Sequence, residues 1–223
     1  MKPVFWIVNT LGKVGTSITC RIDAPDLGKI PRQGPLIVYS NHTGQIEVPL
    51  LFVHLQPRPV TGLAKIETWD NWFLHWIFDL WEAIPIRRGV ADMEAVRKSL
   101  EALEKGYILA IAPEGTRNKT GVLIKAYPGI VTLALRSGTS LLPVVHWGGE
   151  NFSKNIKHLK RTDFHIRVGV PFKLDPRNGR VTREVRQQMV DEMMYRLAAL
   201  LPEHYRGAYA DLENATEKYI ENV

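Results

Sequence analysis

The chain has a single cysteine, Cys20, so no intrachain disulfide is possible and nothing suggests adaptation to an oxidising compartment. A lone thiol in apolar surroundings is a packing residue before it is a nucleophile. Long hydrophobic runs are missing too. The N-terminal stretch from Pro3 to Gly12 is uncharged for ten residues and then meets Lys13, whereas a membrane span needs ~20. That stretch lacks a secretory pattern, because its apolar part is short and no small-residue cleavage site follows. There are no internal repeats and no low-complexity tracts. Acidic residues are outnumbered, giving a net charge of +6, which suits anionic lipids, phosphorylated substrates or nucleic acid. Nucleic acid is the weakest of these, since no finger, helix-turn-helix or aromatic RNA-binding signature is present.

What is there fits one globular domain: 223 residues, 45% hydrophobic and 23% charged. Short apolar runs read as strands over 18–23, 35–40, 59–65, 83–86, 107–112 and 141–146. The alternation of Ile166, Val168 and Val170 predicts a further strand over 164–172. Helical spacing predicts helices over 43–55, 69–81, 130–136 and, behind the N-caps Asp92 and Thr182, over 92–105 and 182–200. The stripe Trp69, Trp72, Phe73, Trp76, Ile77 and Leu80 is expected to face the core. Strands alternating with helices indicate an α/β layer fold, a single domain with a mixed, mostly parallel sheet flanked by helices. The last residues, 207–223, read as an acidic tail without a clear pattern.

Three polar clusters follow apolar strands. Asn41-His42-Thr43-Gly44-Gln45-Ile46-Glu47 comes after Leu36-Ile37-Val38-Tyr39. Within one helix, five residues turn the chain by about 500°, so His42 and Glu47 can meet only if His42 precedes the helix and Glu47 lies in its first turns. An imidazole held by a carboxylate has a fixed tautomer and can act as a general base. Taken alone, though, His42 reads as readily as a cap and Glu47 as a solvated acid. Pro113-Glu114-Gly115-Thr116-Arg117-Asn118 comes after Ile108-Leu109-Ala110-Ile111. Its glycine allows a tight turn, and its guanidinium fork suits phosphate. Ile84-Pro85-Ile86-Arg87-Arg88-Gly89 again sets basic residues after a strand, and Lys65 and Lys125 are possible additional cations. In open α/β sheets ligands bind beyond the carboxyl ends of the strands, so these clusters are expected to meet at one sheet edge.

From Leu36 to Val145 the order and spacing of these blocks, with Leu142-Pro143-Val144-Val145 as a fourth, resemble the glycerolipid acyltransferase family, the 1-acylglycerol-3-phosphate acyltransferases. Two departures stand out: Glu47 occupies the position of an aspartate, and Ala112 that of a phenylalanine. The resemblance implies a glycerol-3-phosphate acyltransferase-like fold. It implies an O-acyltransferase moving a fatty acyl group from acyl-CoA or acyl-carrier protein to a lysophospholipid hydroxyl, 1-acylglycerol 3-phosphate first, to give phosphatidic acid. Another lipid or glycolipid hydroxyl, or thioester hydrolysis, are the alternatives. It also implies catalysis by His42 and Glu47 without an acyl-enzyme. Arg87, Arg88, Glu114, Gly115, Thr116 and Arg117 would hold the acceptor, with Lys65 and Lys125 assisting. No metal or organic cofactor is implied, and nucleic acid is not an expected partner.

A lipid product suits contact with a membrane. Val4, Phe5, Trp6, Ile7, Val8 and Leu11 read either as a helix docked on the core or as one lying in a membrane interface. The expected division is a membrane-associating segment over 1–17, an acyltransferase domain over 18–206 and the tail over 207–223. The expected location is the cytoplasm, peripheral on the inner face of the cell membrane. Phe152, Ile156 and Leu159 recur at helical spacing among Lys154, Lys157, His158, Lys160 and Arg161. That pattern reads as an ordinary surface helix, a contact for anionic headgroups or a cradle for the phosphates of coenzyme A. The tryptophan stripe has a second reading as the wall of an acyl tunnel.

Overall fold

The computed structural model describes residues 3–44, 46–118, 120–177 and 179–223. In chain order it runs α1 (Pro3–Thr19), β1 (Cys20–Asp23), β2 (Leu36–Tyr39), α2 (Glu47–His54), β3 (Val60–Lys65), α3 (Trp72–Leu80), β4 (Ile84–Ile86), α4 (Met93–Glu104) and β5 (Ile108–Ile111). It continues with α5 (Gly129–Ser137), β6 (Leu141–Trp147), α6 (Phe152–Lys157), β7 (Thr162–Val168), β8 (Phe172–Leu174), α7 (Arg183–Leu200) and β9 (Ile220–Asn222). The strands form one sheet in the order β1-β7-β6-β2-β5-β3-β4, with β8 paired to β6 and β9 to β8. Neighbours from β6 through β2, β5 and β3 to β4 are parallel, while β7 and β8 lie antiparallel to β6. The mixed, mostly parallel sheet is thus as expected.

All four residues of β2 are buried, which is why this strand is a continuous apolar run rather than an alternating one. Its side chains go to opposite faces at period two. Ile37 and Tyr39 join the core beneath α4, α5 and α7, and Leu36 and Val38 join the core beneath α1 and α2. Helix α7 closes the first core with Met189, Val190, Met193, Met194 and Leu197, and the Tyr39 hydroxyl donates to the Met193 carbonyl at 3.0 Å. The parallel run puts the carboxyl ends of β2, β3, β4, β5 and β6 at one edge of the sheet, and the polar clusters emerge there.

Four expectations are corrected. Helix α1 runs to Thr19, so β1 begins two residues later than expected. The single strand expected over 164–172 is two strands, β7 and β8, both on β6. The strand is interrupted where Pro171 has no amide to give a ladder, and Gly169 in the gap packs so close to Pro143 that a Cβ would lie 2.7 Å from it. The tryptophan stripe is divided: Ile77 and Leu80 are half-buried and pack against the core, whereas Phe73 and Trp76 are exposed and Trp72 is 81% exposed. Finally, the tail is built into the fold. Tyr209, Tyr219 and Ile220 are buried, and β9 pairs with β8. The buried Glu192 carboxylate accepts from the Thr216 hydroxyl at 2.6 Å and from the amides of Lys218 and Tyr219 at 3.1 and 2.9 Å. These contacts join residues 24 to 27 positions apart, which no local period announces.

Removing residues 207–223 strips three buried side chains and takes away the donors that Glu192 has among the described residues. Several kcal/mol of stability are at stake, chiefly the lost apolar burial. Thermal unfolding of the truncated chain is expected at least about 10 °C below that of the full chain. An unchanged midpoint would show the tail to be peripheral.

Candidate active site

The helix expected over 43–55 begins only at Glu47, as α2. The Glu47 side chain explains the delay. Its Oε1 accepts from the amides of Thr43 and Gly44 at 3.1 and 2.6 Å, which curls the preceding segment around the carboxylate. The same oxygen lies 2.9 Å from Nδ1 of His42, so His42 sits before the helix and Glu47 in its first turn. Glu47 is 2% exposed. Burial opposes its ionisation, but the hydrogen bonds from His42 and from the Gly44 amide outweigh it and hold the carboxyl at about 2. An ionised acceptor on Nδ1 fixes the proton there and leaves Nε2 as the basic nitrogen.

A second histidine, absent from the expected site, completes this corner. Asn41 Nδ2 donates to the His146 carbonyl at 2.8 Å, the His146 amide returns a bond to Asn41 Oδ1 at 3.1 Å, and His146 Nε2 donates to the Asn41 carbonyl at 2.7 Å. This clasp ties the end of β2 to the end of β6. The His146 ring is fully buried, stacks on Phe164 with centroids 5.6 Å apart, and leaves Nδ1 without a partner among the described residues. Burial lowers its pKa and keeps the ring neutral near pH 7. Its position at the end of a strand was the one signal the sequence offered.

His42, Glu47 and His146 share a mostly apolar cavity with Leu51, Phe52, Phe78, Trp81, Ile86 and Ala112. Of the expected acceptor residues, Arg88 and Gly115 line it. Gly115 has φ +66°, and a Cβ would lie 3.2 Å from the Tyr127 ring, so the turn after β5 needs a glycine. Lys65, Arg87, Thr116 and Arg117 are exposed and are not among its walls. Lys125 borders a different cavity, between α7 and the C-terminal segment. The loop after β5 is nonetheless fastened to the site, since the Asn118 amide donates to the His42 carbonyl at 2.8 Å.

Glu114 departs furthest from expectation. It is 1% exposed, does not line the cavity, and neither of its oxygens has a hydrogen-bond partner among the described residues. Burial pushes its carboxyl up to about 8; the Glu47 charge adds to the rise, and nearby amides of His42 and Ile124 oppose it. Glu114 therefore carries a proton near pH 7 and is not among the residues that wall the cavity.

Chemically, the corner offers a base with a buried carboxylate behind it, an apolar hollow in front and one guanidinium at the wall. Such a pair can take a proton from a hydroxyl or a water presented to Nε2. Residues 21–147 match the family model described as "Acyltransferase", and the chain belongs to that family. It is 32% identical over 130 residues to a 1-acyl-sn-glycerol-3-phosphate acyltransferase of Borreliella burgdorferi, a match covering 57% of this chain and 52% of that protein. It is 26% identical to the protein of that name from Bacillus subtilis, over 53% of this chain and 59% of the relative. It is 30% identical to a lyso-ornithine lipid O-acyltransferase of Pseudomonas aeruginosa, over 52% of this chain and 44% of the relative. The chain thus spans about half the length of the curated relatives it matches. The crystal structure of PlsC, the 1-acyl-sn-glycerophosphate acyltransferase of Thermotoga maritima, shares the fold: TM-score 0.66 at 20% identity, over 96% of this chain and 82% of that one.

Glu114 also makes stability depend on pH. In the folded state it keeps its proton up to about 8, against an ordinary value of 4.5. Between those values the folded state binds the extra proton, so each pH unit gained removes up to about 1.4 kcal/mol of stability. Glu114→Gln abolishes that loss. The Tm advantage of the variant over the wild type should grow from pH 5 to pH 8, and a constant difference would mean that Glu114 is ionised in the fold.

Proposed function

We propose that the chain is an O-acyltransferase that moves a fatty acyl group from a thioester, acyl-CoA or acyl-carrier protein, to a lysophospholipid hydroxyl. The observation that carries this reading is the His42–Glu47 pair set into the wall of an apolar cavity. His42 Nε2 takes the proton of the acceptor hydroxyl as its oxygen attacks the thioester carbonyl carbon. The tetrahedral oxyanion collapses, the carbon–sulfur bond breaks, and the leaving thiolate takes the proton back from the imidazolium. Glu47 keeps the ring oriented and stabilises its charged form, as a buried carboxylate does for a catalytic imidazole. The apolar walls take the acyl chain, and Arg88 holds the acceptor's anionic head.

The acceptor proposed first is 1-acylglycerol 3-phosphate, with phosphatidic acid as the product, in line with the names of several relatives. A specific observation favours a second acceptor class: of the expected cations, only Arg88 lines the cavity. A lyso-lipid with a less anionic head, of the kind named for the Pseudomonas relative, needs fewer guanidinium contacts.

We further propose that the protein works at a membrane surface. No helix of the described chain is long and apolar enough to cross a membrane. Helix α1 buries Phe5, Asn9 and Thr16 and exposes Val4, Ile7, Leu11, Val14 and Ile18 along its other side. Helix α3 exposes Trp72, Phe73 and Trp76, while Phe78, in the same helix, and Trp81, just past its end, wall the cavity. An apolar surface of this kind is costly in water and suits an interface from which acyl chains are drawn.

Thiol release from palmitoyl-CoA, measured with lysophosphatidic acid, with a lyso-ornithine lipid and with neither, tests the proposal. Acceptor-dependent release should fall by at least about 10³-fold in His42→Ala, the scale of losing a general base and its partner. Arg88→Ala should raise the KM for the phosphate acceptor about tenfold or more while sparing that for the donor. Release independent of acceptor would replace transfer by hydrolysis, and an active His42→Ala enzyme would remove His42 as the base.

A further inference from the structure

The short helix α6 and the turn behind it stand apart from the cavity, and none of their residues lines it. From Asn151 to Thr162 the chain carries Lys154, Lys157, Lys160 and Arg161 and no acid. Among the described residues the three lysines form no ion pair. Leu159 sits at the tip, 96% exposed, with φ +53°. Its conformation follows from the way α6 ends: the Leu159 amide donates to the Ile156 carbonyl at 3.1 Å, and the Lys160 amide to the Asn155 carbonyl at 2.9 Å. This position belongs to glycine, which reaches positive φ without strain. A leucine here is unfavourable twice over, in its backbone and in its contact with water. Neither the core nor the cavity gains from it.

The tip is also joined to α1. Arg161 Nη2 donates to the carbonyls of Ser17 and Cys20 at 2.8 and 2.6 Å, so the cationic turn is held at the end of α1 where Ile18 and Val14 are exposed.

We propose that this turn is a second membrane contact, selective for anionic lipid: Leu159 enters the acyl region, and Lys154, Lys157 and Lys160 hold headgroup phosphates. The proposal rests on the reading of α1 as a membrane-facing helix and extends it to a two-point attachment with a charge preference. A free nucleotide phosphate would use the lysines but leave Leu159 and Ile156 without purpose, whereas a bilayer uses all of them. Lysines close to an anionic surface and an apolar wedge beneath them are the two terms that bind peripheral proteins.

Flotation with vesicles of phosphatidylcholine alone, or of phosphatidylcholine with phosphatidylglycerol, tests this with three full-length variants: Leu159→Gly, Lys157→Glu/Lys160→Glu and, on α1, Leu11→Gln. Leu159→Gly should leave Tm unchanged or raised, because glycine relaxes the backbone, yet weaken binding to the anionic vesicles by about tenfold, as expected for losing one inserted leucine. The lysine variant should lose the preference for phosphatidylglycerol, and Leu11→Gln should weaken binding to both vesicles. Normal binding by Leu159→Gly beside weak binding by Leu11→Gln would overturn the second contact and leave α1 standing. Normal binding by all three would overturn both. A lysine variant that binds vesicles normally but has a raised KM for acyl-CoA would assign the cations to the coenzyme and likewise overturn the proposal.

Discussion

The Glu47 carboxylate is the constraint on which the site depends. It is buried at the start of α2, and one of its oxygens gathers the amides of Thr43 and Gly44 and the ring of His42. A buried charge is tolerated only when it is paired and hydrogen-bonded, so the chain before α2 has little freedom to take another path. The arrangement shapes the loop, delays the helix and fixes the histidine tautomer at once. Burial lowers the pKa of His146 and keeps its ring uncharged beside the carboxylate.

Around this corner the sheet supplies alignment. Five parallel strands end at one edge, and their trailing loops are fastened by hydrogen bonds, from the Asn118 amide to the His42 carbonyl and from the Asn41 side chain to the His146 carbonyl. The basic residues at the same edge are divided. All four of Arg88, Arg117, Lys65 and Arg87 are exposed, but of these Arg88 alone borders the cavity, and Lys125 borders another one. The cavity is therefore far more apolar than the sequence blocks suggest. It is also joined to the outside by α3, whose outer tryptophans and phenylalanine have no place in a soluble core. Both features support the proposal of lipid acylation at an interface.

Much of the architecture was legible. The strands β2, β5 and β6 are buried on both faces and so appear as unbroken apolar runs, and Asp92 and Thr182 cap their helices with their own side chains. The pairing of His42 with Glu47 was legible as a geometric condition, because a five-residue interval excludes a shared helix. Glu114 and the aromatic stripe were misread for one reason: composition reports what a side chain can do, not which way it points. The same helical spacing serves a core and a lipid-facing surface, and the same carboxylate serves a substrate contact and a buried, protonated acid.

The sequence by itself determined the α/β layering, the succession of strands and helices along the chain and the condition under which His42 and Glu47 can meet, since these follow from local periodicity and a fixed interval. Only the tertiary structure decided which cation reaches the cavity, that His146 and Asn41 clasp the site and that the last seventeen residues complete the sheet. Those outcomes depend on contacts between residues far apart in the chain, such as Glu192 with Tyr219 and Asn41 with His146, whose energies arise only when burial removes water from both partners.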